Sequence, residues 1–118
     1  MNSVSSKWVL MLCIMLAVIA KISEFSFNGP LDAGDSAQIT CLVSQGDLPL
    51  QFQWAFHGYG SSINALKGVQ ISKLGRKSSI LSIDSVSTEH SGNYTCTATN
   101  PAGVSNYTAE LIVNGTYL

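Results

Sequence analysis

The sequence predicts an all-β fold of two antiparallel sheets packed face to face, and three observations carry that reading. Apolar residues recur at every second position in short runs, as in Ala37, Ile39, Cys41 and Val43, the pattern of a strand with one buried face. Clusters of Gly, Pro, Asn and Asp separate these runs at short intervals, and no stretch after the first 20 residues has helical period. Cys41, Trp54, Tyr94 and Cys96 all fall on such runs, Trp54 thirteen residues after Cys41 and Tyr94 two before Cys96. Seven or so short strands joined by regular turns make a two-sheet sandwich.

Taken in order, Ile22 to Phe27 reads as an edge strand that Asn28-Gly29-Pro30 kinks, because proline suits edges and bends. Leu31 to Gly34 resumes along the other edge, and Asp32-Ala33-Gly34-Asp35 turns the chain into the Cys41 strand. Ser44 to Pro49 is turn chemistry, followed by the strand Leu50 to Phe56 with Phe52, Trp54 and Phe56 on one face. Gly58-Tyr59-Gly60-Ser61-Ser62 breaks that strand, and without a following lysine and helix it is a loop, not a phosphate cradle. Val69 to Leu74 and Ser79 to Ile83 flank the turn Leu74-Gly75-Arg76-Lys77, with Leu81 and Ile83 inward and Val86 capping the core. Thr88 to Gly92 is a tight corner that feeds the central strand Asn93 to Thr99. After the hairpin turn Asn100-Pro101-Ala102-Gly103, Val104 to Val113 closes the sheet with Ala109, Leu111 and Val113 inward.

The amino terminus has a different character. Lys7 precedes the apolar run Trp8 to Ile19, and Val18-Ile19-Ala20 offers a small residue for cleavage, so residues 1–20 read as a secretory signal peptide. The run is shorter than the roughly 20 apolar residues that span a bilayer. The expected organisation is a leader over 1–20, one domain over 21–114 and a tail over 115–118. Cys13 leaves with the leader, and the two remaining cysteines suit an oxidising, extracellular compartment. Secretion is expected, or display at the cell surface where the domain belongs to a longer anchored protein; no membrane span remains after leader removal. Without Lys7 the chain has five basic and seven acidic residues, a balance that attracts no nucleic acid.

Cysteine, tryptophan and then Tyr-x-Cys at these spacings form the signature of the immunoglobulin domain. The resemblance implies a Greek-key sandwich with Cys41 bridged to Cys96 across the sheets, Trp54 packed on the sulfurs, and the Tyr94 hydroxyl bonded to upstream backbone at the corner. Leu81-x-Ile83, Asn100-Pro101-Ala102-Gly103 and the final Ala109-x-Leu111-x-Val113 look like the intermediate-type (I-set) branch of that family. More narrowly, Phe25-x-Phe27, Gly46-Asp47-Leu48-Pro49-Leu50 before Trp54, and Glu89-His90-Ser91-Gly92-Asn93-Tyr94-Thr95-Cys96 resemble the arthropod Down syndrome cell adhesion molecule (Dscam) family. The likeness covers about residues 22–114 and implies homophilic binding between cells. Two departures stand out. Many immunoglobulin domains carry aspartate two residues before the corner glycine, paired with an arginine beneath the sheet; here the position holds His90, which puts a bridge from Arg76 in doubt. Members of the narrower family also string many such domains ahead of a membrane span, so this sequence is expected to be a short secreted form, a fragment or an incomplete gene model.

His57 and His90 are the only histidines, expected at opposite ends of the sandwich, where they cannot join one serine in a triad. With the cysteines bridged, no metal-ligand cluster or cofactor site is expected, and the chain is read as no enzyme. Lys67, Lys73, Arg76 and Lys77 gather near one turn, read as a solvated edge that resists aggregation in preference to an anion contact. Asn93-Tyr94-Thr95, Asn106-Tyr107-Thr108 and Asn114-Gly115-Thr116 are glycosylation acceptors. Strand parity turns Asn93 and Asn106 outward on the sheet that holds Trp54 and Cys96. On the other sheet parity turns Leu42 and Ile80 outward, and with Gln38, Thr40 and Ser82 they form an apolar spot with a polar rim. That spot is the expected partner-binding face, most simply for a like domain. The alternatives are a spacer whose faces bind nothing and a secreted immune receptor for foreign glycans.

Overall fold

The computed structural model describes residues 17–58 and 62–115. Most of the expected leader (1–16, with Lys7 and Cys13), three residues of the glycine loop (59–61) and the end of the tail (116–118) lie outside the described residues.

Nine strands follow in chain order: β1 (Lys21–Ile22), β2 (Leu31–Asp32), β3 (Ala37–Gln45), β4 (Gln51–His57), β5 (Val69–Leu74), β6 (Ser78–Ile83), β7 (Gly92–Asn100), β8 (Gly103–Leu111) and β9 (Val113–Asn114). Two single 3-10 turns, Ile63–Ala65 and Thr88–His90, are the only helical elements among the described residues. One sheet has the order β1-β3-β6-β5 and the other β4-β7-β8, all antiparallel. β2 lies parallel to β9, so the first edge of the chain serves one sheet through β1 and the other through β2. The switch occurs where Asn28 and Gly29 take left-handed backbone at φ 61° and 99°.

The fold is the Greek-key sandwich expected. Ala37, Ile39, Cys41 and Val43 are all buried on β3, and Leu81 and Ile83 face them from β6. Tyr94, Cys96, Ala98, Ala109 and Leu111 supply the opposing layer, and a disulfide between Cys41 and Cys96 joins the two sheets through the middle. Val86 caps this core at 2% exposure.

Three expectations are corrected. The first edge strand does not run from Ile22 to Phe27: regular pairing stops at Ile22, and one further bond, Ser23 N–H to the Leu42 carbonyl at 2.8 Å, ends it. The two phenylalanines that looked like strand alternation instead plug the open edge of the sandwich. Phe25 packs against Trp54 and Tyr107 with ring centroids at 5.8 and 4.8 Å, and Phe27 against Tyr94 at 5.4 Å. The last strand likewise breaks at exposed Ile112, where the pairing passes from β7 to β2. Finally, His57 and His90 do not lie at opposite ends. Antiparallel pairing sets the end of β4 beside the start of β7, with His57 opposite Asn93. Gly92 there has φ 154°, and a Cβ on it would stand 2.6 Å from the His57 carbonyl oxygen, so the close approach at the corner requires glycine.

Candidate functional site

The buried part of the signature is structural. Trp54 sits opposite Cys96 on β4, and its indole N–H donates to the Ser79 hydroxyl at 3.0 Å. Ser79 is 2% exposed, so this partner, which lies on the other sheet, satisfies a donor that burial would otherwise strand. Tyr94 is fully buried and its hydroxyl donates to the His90 carbonyl at 2.7 Å, the corner bond that the resemblance implied. Burial holds the Tyr94 phenol well above the ordinary tyrosine range.

His90 takes the place of the more usual aspartate with a bridge of its own. Its Nδ1 accepts the Ser87 backbone N–H at 2.9 Å and its Nε2 lies 2.7 Å from the Lys67 carbonyl oxygen. Those partners fix the tautomer with the proton on Nε2. Both ring nitrogens are thereby committed to holding the corner against the segment before β5. The spacing Ser87-x-x-His90 at the start of the 3-10 turn, a capping arrangement, is the sequence signal that marks it. Among the described residues no three His, Cys, Asp or Glu side chains gather as metal ligands.

The exposed part of the site is the outer face of the four-stranded sheet. Pairing sets Gln38, Ser82 and Gln70 in one row across β3, β6 and β5, then Thr40, Ile80 and Ser72, then Leu42, Ser78 and Leu74. The five residues expected together, Gln38, Thr40, Leu42, Ile80 and Ser82, therefore do share one face. Ile80 lies directly opposite Thr40 and diagonal to Leu42. Leu42 is 43% exposed and Ile80 partly covered. Leu74, 62% exposed at the far side of the same row as Leu42, joins the face as well; the sequence reads it as the last residue of its strand and the first of the Gly75 turn, which leaves its facing unassigned. None of the nine residues is charged, and Ser78, buried, turns its hydroxyl to the Leu74 carbonyl.

The outer face of β4-β7-β8 carries the acceptor asparagines and is polar apart from Ala55 and the exposed Val104. Asn93 and Asn106 are both exposed, with Asn106 opposite Thr97 and Asn93 opposite Glu110. The hydroxyls of Thr95 and Thr108, the third residues of the two acceptor sequences, bond each other at 2.6 Å. Asn114 is exposed at the end of β9 and donates to Asp32 Oδ1 at 3.4 Å; Thr116, which completes its motif, lies outside the described residues. Of the basic group, Lys73 and Arg76 border an open cleft with Leu48, Pro49, Leu50 and Gly75.

The intersheet disulfide with its tryptophan, and the tyrosine bonded across its corner, define an immunoglobulin-type domain. The family model for the immunoglobulin domain matches residues 21–100, and the chain belongs to that family. Its similarity to particular proteins is narrower. It is 40% identical to cell adhesion molecule Dscam1 of Drosophila melanogaster over 102 residues, 86% of this chain and 5% of that protein. Cell adhesion molecule Dscam2 of the same organism is 40% identical over 100 residues, 85% of this chain and again 5% of the relative. Residues 21–118 number 98, so the Dscam1 match includes residues upstream of Lys21. Among solved structures, the Dscam1 Ig7 domain, isoform 5, superposes with TM-score 0.75 at 38% identity, covering 83% of this chain and 99% of that one. Isoform 9 of the same domain gives 0.73 at 42% identity, covering 81% and 100%. No helix among the described residues is long and apolar enough to cross a membrane.

Proposed function

We propose that the chain is an extracellular recognition module in cell adhesion that binds a second copy of itself through the outer face of the β1-β3-β6-β5 sheet. One observation carries the reading: the nine positions of outward parity on β3, β6 and β5 hold no charge, and among them Leu42, Ile80 and Leu74 lie exposed or part-exposed while Ser78 is covered. In a two-fold contact each residue meets a symmetry-related copy of the same face. A charged face would bring like charges together at a cost of several kcal/mol, whereas this one meets itself without repulsion. Gln38, Thr40 and Ser82 supply a rim whose hydroxyl and amide groups both donate and accept. The disulfide suits the extracellular space, and the relatives at 40% identity are cell adhesion molecules. Glycans on Asn93, Asn106 and Asn114 are part of this reading and leave the binding face open.

Sedimentation equilibrium of the full chain, collected from the medium of secreting eukaryotic cells, tests it. A reversible dimer that Leu42→Lys abolishes is expected. A chain that stays monomeric at every concentration would sink self-recognition and shift the reading to a spacer or to a receptor for another partner.

A further inference from the structure

The segment Val18-Ile19-Ala20, which the sequence assigns to the leader, is built into the domain. Ala20 is 3% exposed and packs in a small cluster with Val43, Leu50 and Ala98. Its carbonyl accepts the Ser105 hydroxyl at 2.6 Å. The Val18 carbonyl accepts the Asp47 backbone N–H at 3.1 Å and the Asn100 side-chain amide at 2.7 Å. Gly46 has φ 143°, and a Cβ there would stand 2.8 Å from the Ala20 Cα. The absence of a side chain at Gly46 is thus what admits Ala20. Removing residues 18–20 would empty an apolar socket, take from the Ser105 hydroxyl the Ala20 carbonyl, its one partner among the described residues, and leave the Asn100 amide the Asp47 carbonyl at 3.1 Å. The likeness to Dscam1 also reaches upstream of Lys21, as expected if these residues belong to the domain.

We propose that the leader is cut between Ala17 and Val18, and that the new α-ammonium group of Val18 pairs with the Asp47 carboxylate. The inference rests on the chain entering the secretory pathway. Ala17 supplies the small residue that a leader-removing endopeptidase requires before the cut. Water adds across the Ala17–Val18 peptide, leaving a carboxylate on Ala17 and an amine on Val18. With an ordinary α-amino pKa of about 8 that amine is protonated at neutral pH. The acceptor is already in place: the Val18 nitrogen donates to Asp47 Oδ2 at 2.9 Å. A cut after Ala20 would instead free Lys21, with neither that carboxylate nor the socket. Val18 and Ala20 fit the three-residue cleavage pattern better than Met15 and Ala17 do, so sequence preference and packing give opposite answers here.

The test is the amino-terminal sequence of the chain secreted by eukaryotic cells expressing residues 1–118, read by Edman degradation and intact mass. A start at Val18 is expected. A start at Lys21, or at any other position in a secreted product, overturns the inference and leaves secretion intact; a chain retained in the cell with Met1 uncut overturns both. Two chains released from a fusion with defined starts at Val18 and Lys21 give a second reading. The Lys21 chain should melt lower by about 4 °C or more, and equal midpoints would overturn the packing argument. In the Val18 chain, Asp47→Asn should lower the α-amino pKa measured by NMR, and an unchanged value would refute the ion pair.

Discussion

Replacing Tyr94 with phenylalanine isolates the corner bond. The ring stays packed between Phe27 and Phe56, whose centroids lie 5.4 and 4.8 Å away, and only the hydroxyl that donates to the His90 carbonyl at 2.7 Å is lost. The site is fully buried, so water does not replace the donor and the carbonyl is left unpaired. The expected cost is about 1–3 kcal/mol, a drop in melting temperature of roughly 4–8 °C for each kcal/mol in a domain this size. A second readout separates the hydroxyl from packing. Burial raises the phenol pKa in the folded state above its unfolded value of about 10. Above that pH the unfolded chain releases a proton that the folded chain keeps, so Tyr94 lowers stability as pH rises and contributes nothing to the slope below it. At pH 11 the loss through this group is on the order of 1 kcal/mol, and the phenylalanine variant should lack it. Urea melts of both chains at pH 7, 9 and 11 measure both effects. A variant within about 0.3 kcal/mol of the parent at pH 7, or one with the parent's alkaline slope, would refute the assignment.

Ser79→Ala leaves the Trp54 indole N–H without its partner in the core and should cost about 1–3 kcal/mol in urea melts; Trp54→Phe in that background should then cost less than in the parent. Reducing the Cys41–Cys96 bridge, which spans 55 residues, should lower stability by about 4 kcal/mol in the chain-entropy account, seen as a shift of the urea midpoint between oxidised and reduced samples. Gly46→Ala should destabilise strongly a chain that starts at Val18, because its Cβ meets the Ala20 Cα. The same change should cost less in a chain that starts at Lys21, where only the backbone strain at φ 143° remains.

Most of the strands could be read from their period-two pattern, the edge strand β5 with its observed bounds among them, and the inward faces were clearest where a strand pairs on both sides. β3, β6 and β7 each have two neighbours, so a slip of one residue would expose a whole apolar face, and their period-two pattern is correspondingly clear. β1 has one neighbour, and Phe25 and Phe27, which follow it, serve the sandwich edge instead of a ladder. Phe25-x-Phe27 mimics strand alternation because two rings two residues apart can also fill one gap from the side. Val18-Ile19-Ala20 poses a different problem: hydrophobicity has the same sign in a leader and in a core, and the glycine at 46 and the acceptors around the segment are what favour the second use. His90 looked like a missing aspartate, but an imidazole with two ring nitrogens can join two backbone groups. Leu74 was illegible as part of a face because its outward direction depends on its pairing with Ser78, which its own neighbours in sequence do not announce.

The two outer faces differ in a way that bears on the order of events during biosynthesis. Thr95 and Thr108 belong to separate acceptor sequences, yet in the fold their hydroxyls bond each other across the β7–β8 ladder. An acceptor sequence in that state is an element of a regular sheet, with its backbone N–H and C=O groups turned to neighbouring strands. Sugar transfer to Asn93 or Asn106 would therefore have to precede the pairing of β7 with β8. Once those strands close, the two asparagines stand four residues apart in register, because Asn106 faces Thr97, a separation of roughly 13–14 Å along the strand. Two glycans at that spacing would shield most of the three-stranded face. The uncharged grid around Leu42, Ile80 and Leu74 faces the other way, so the sugars would bias association toward that sheet by excluding the alternative without touching the contact itself.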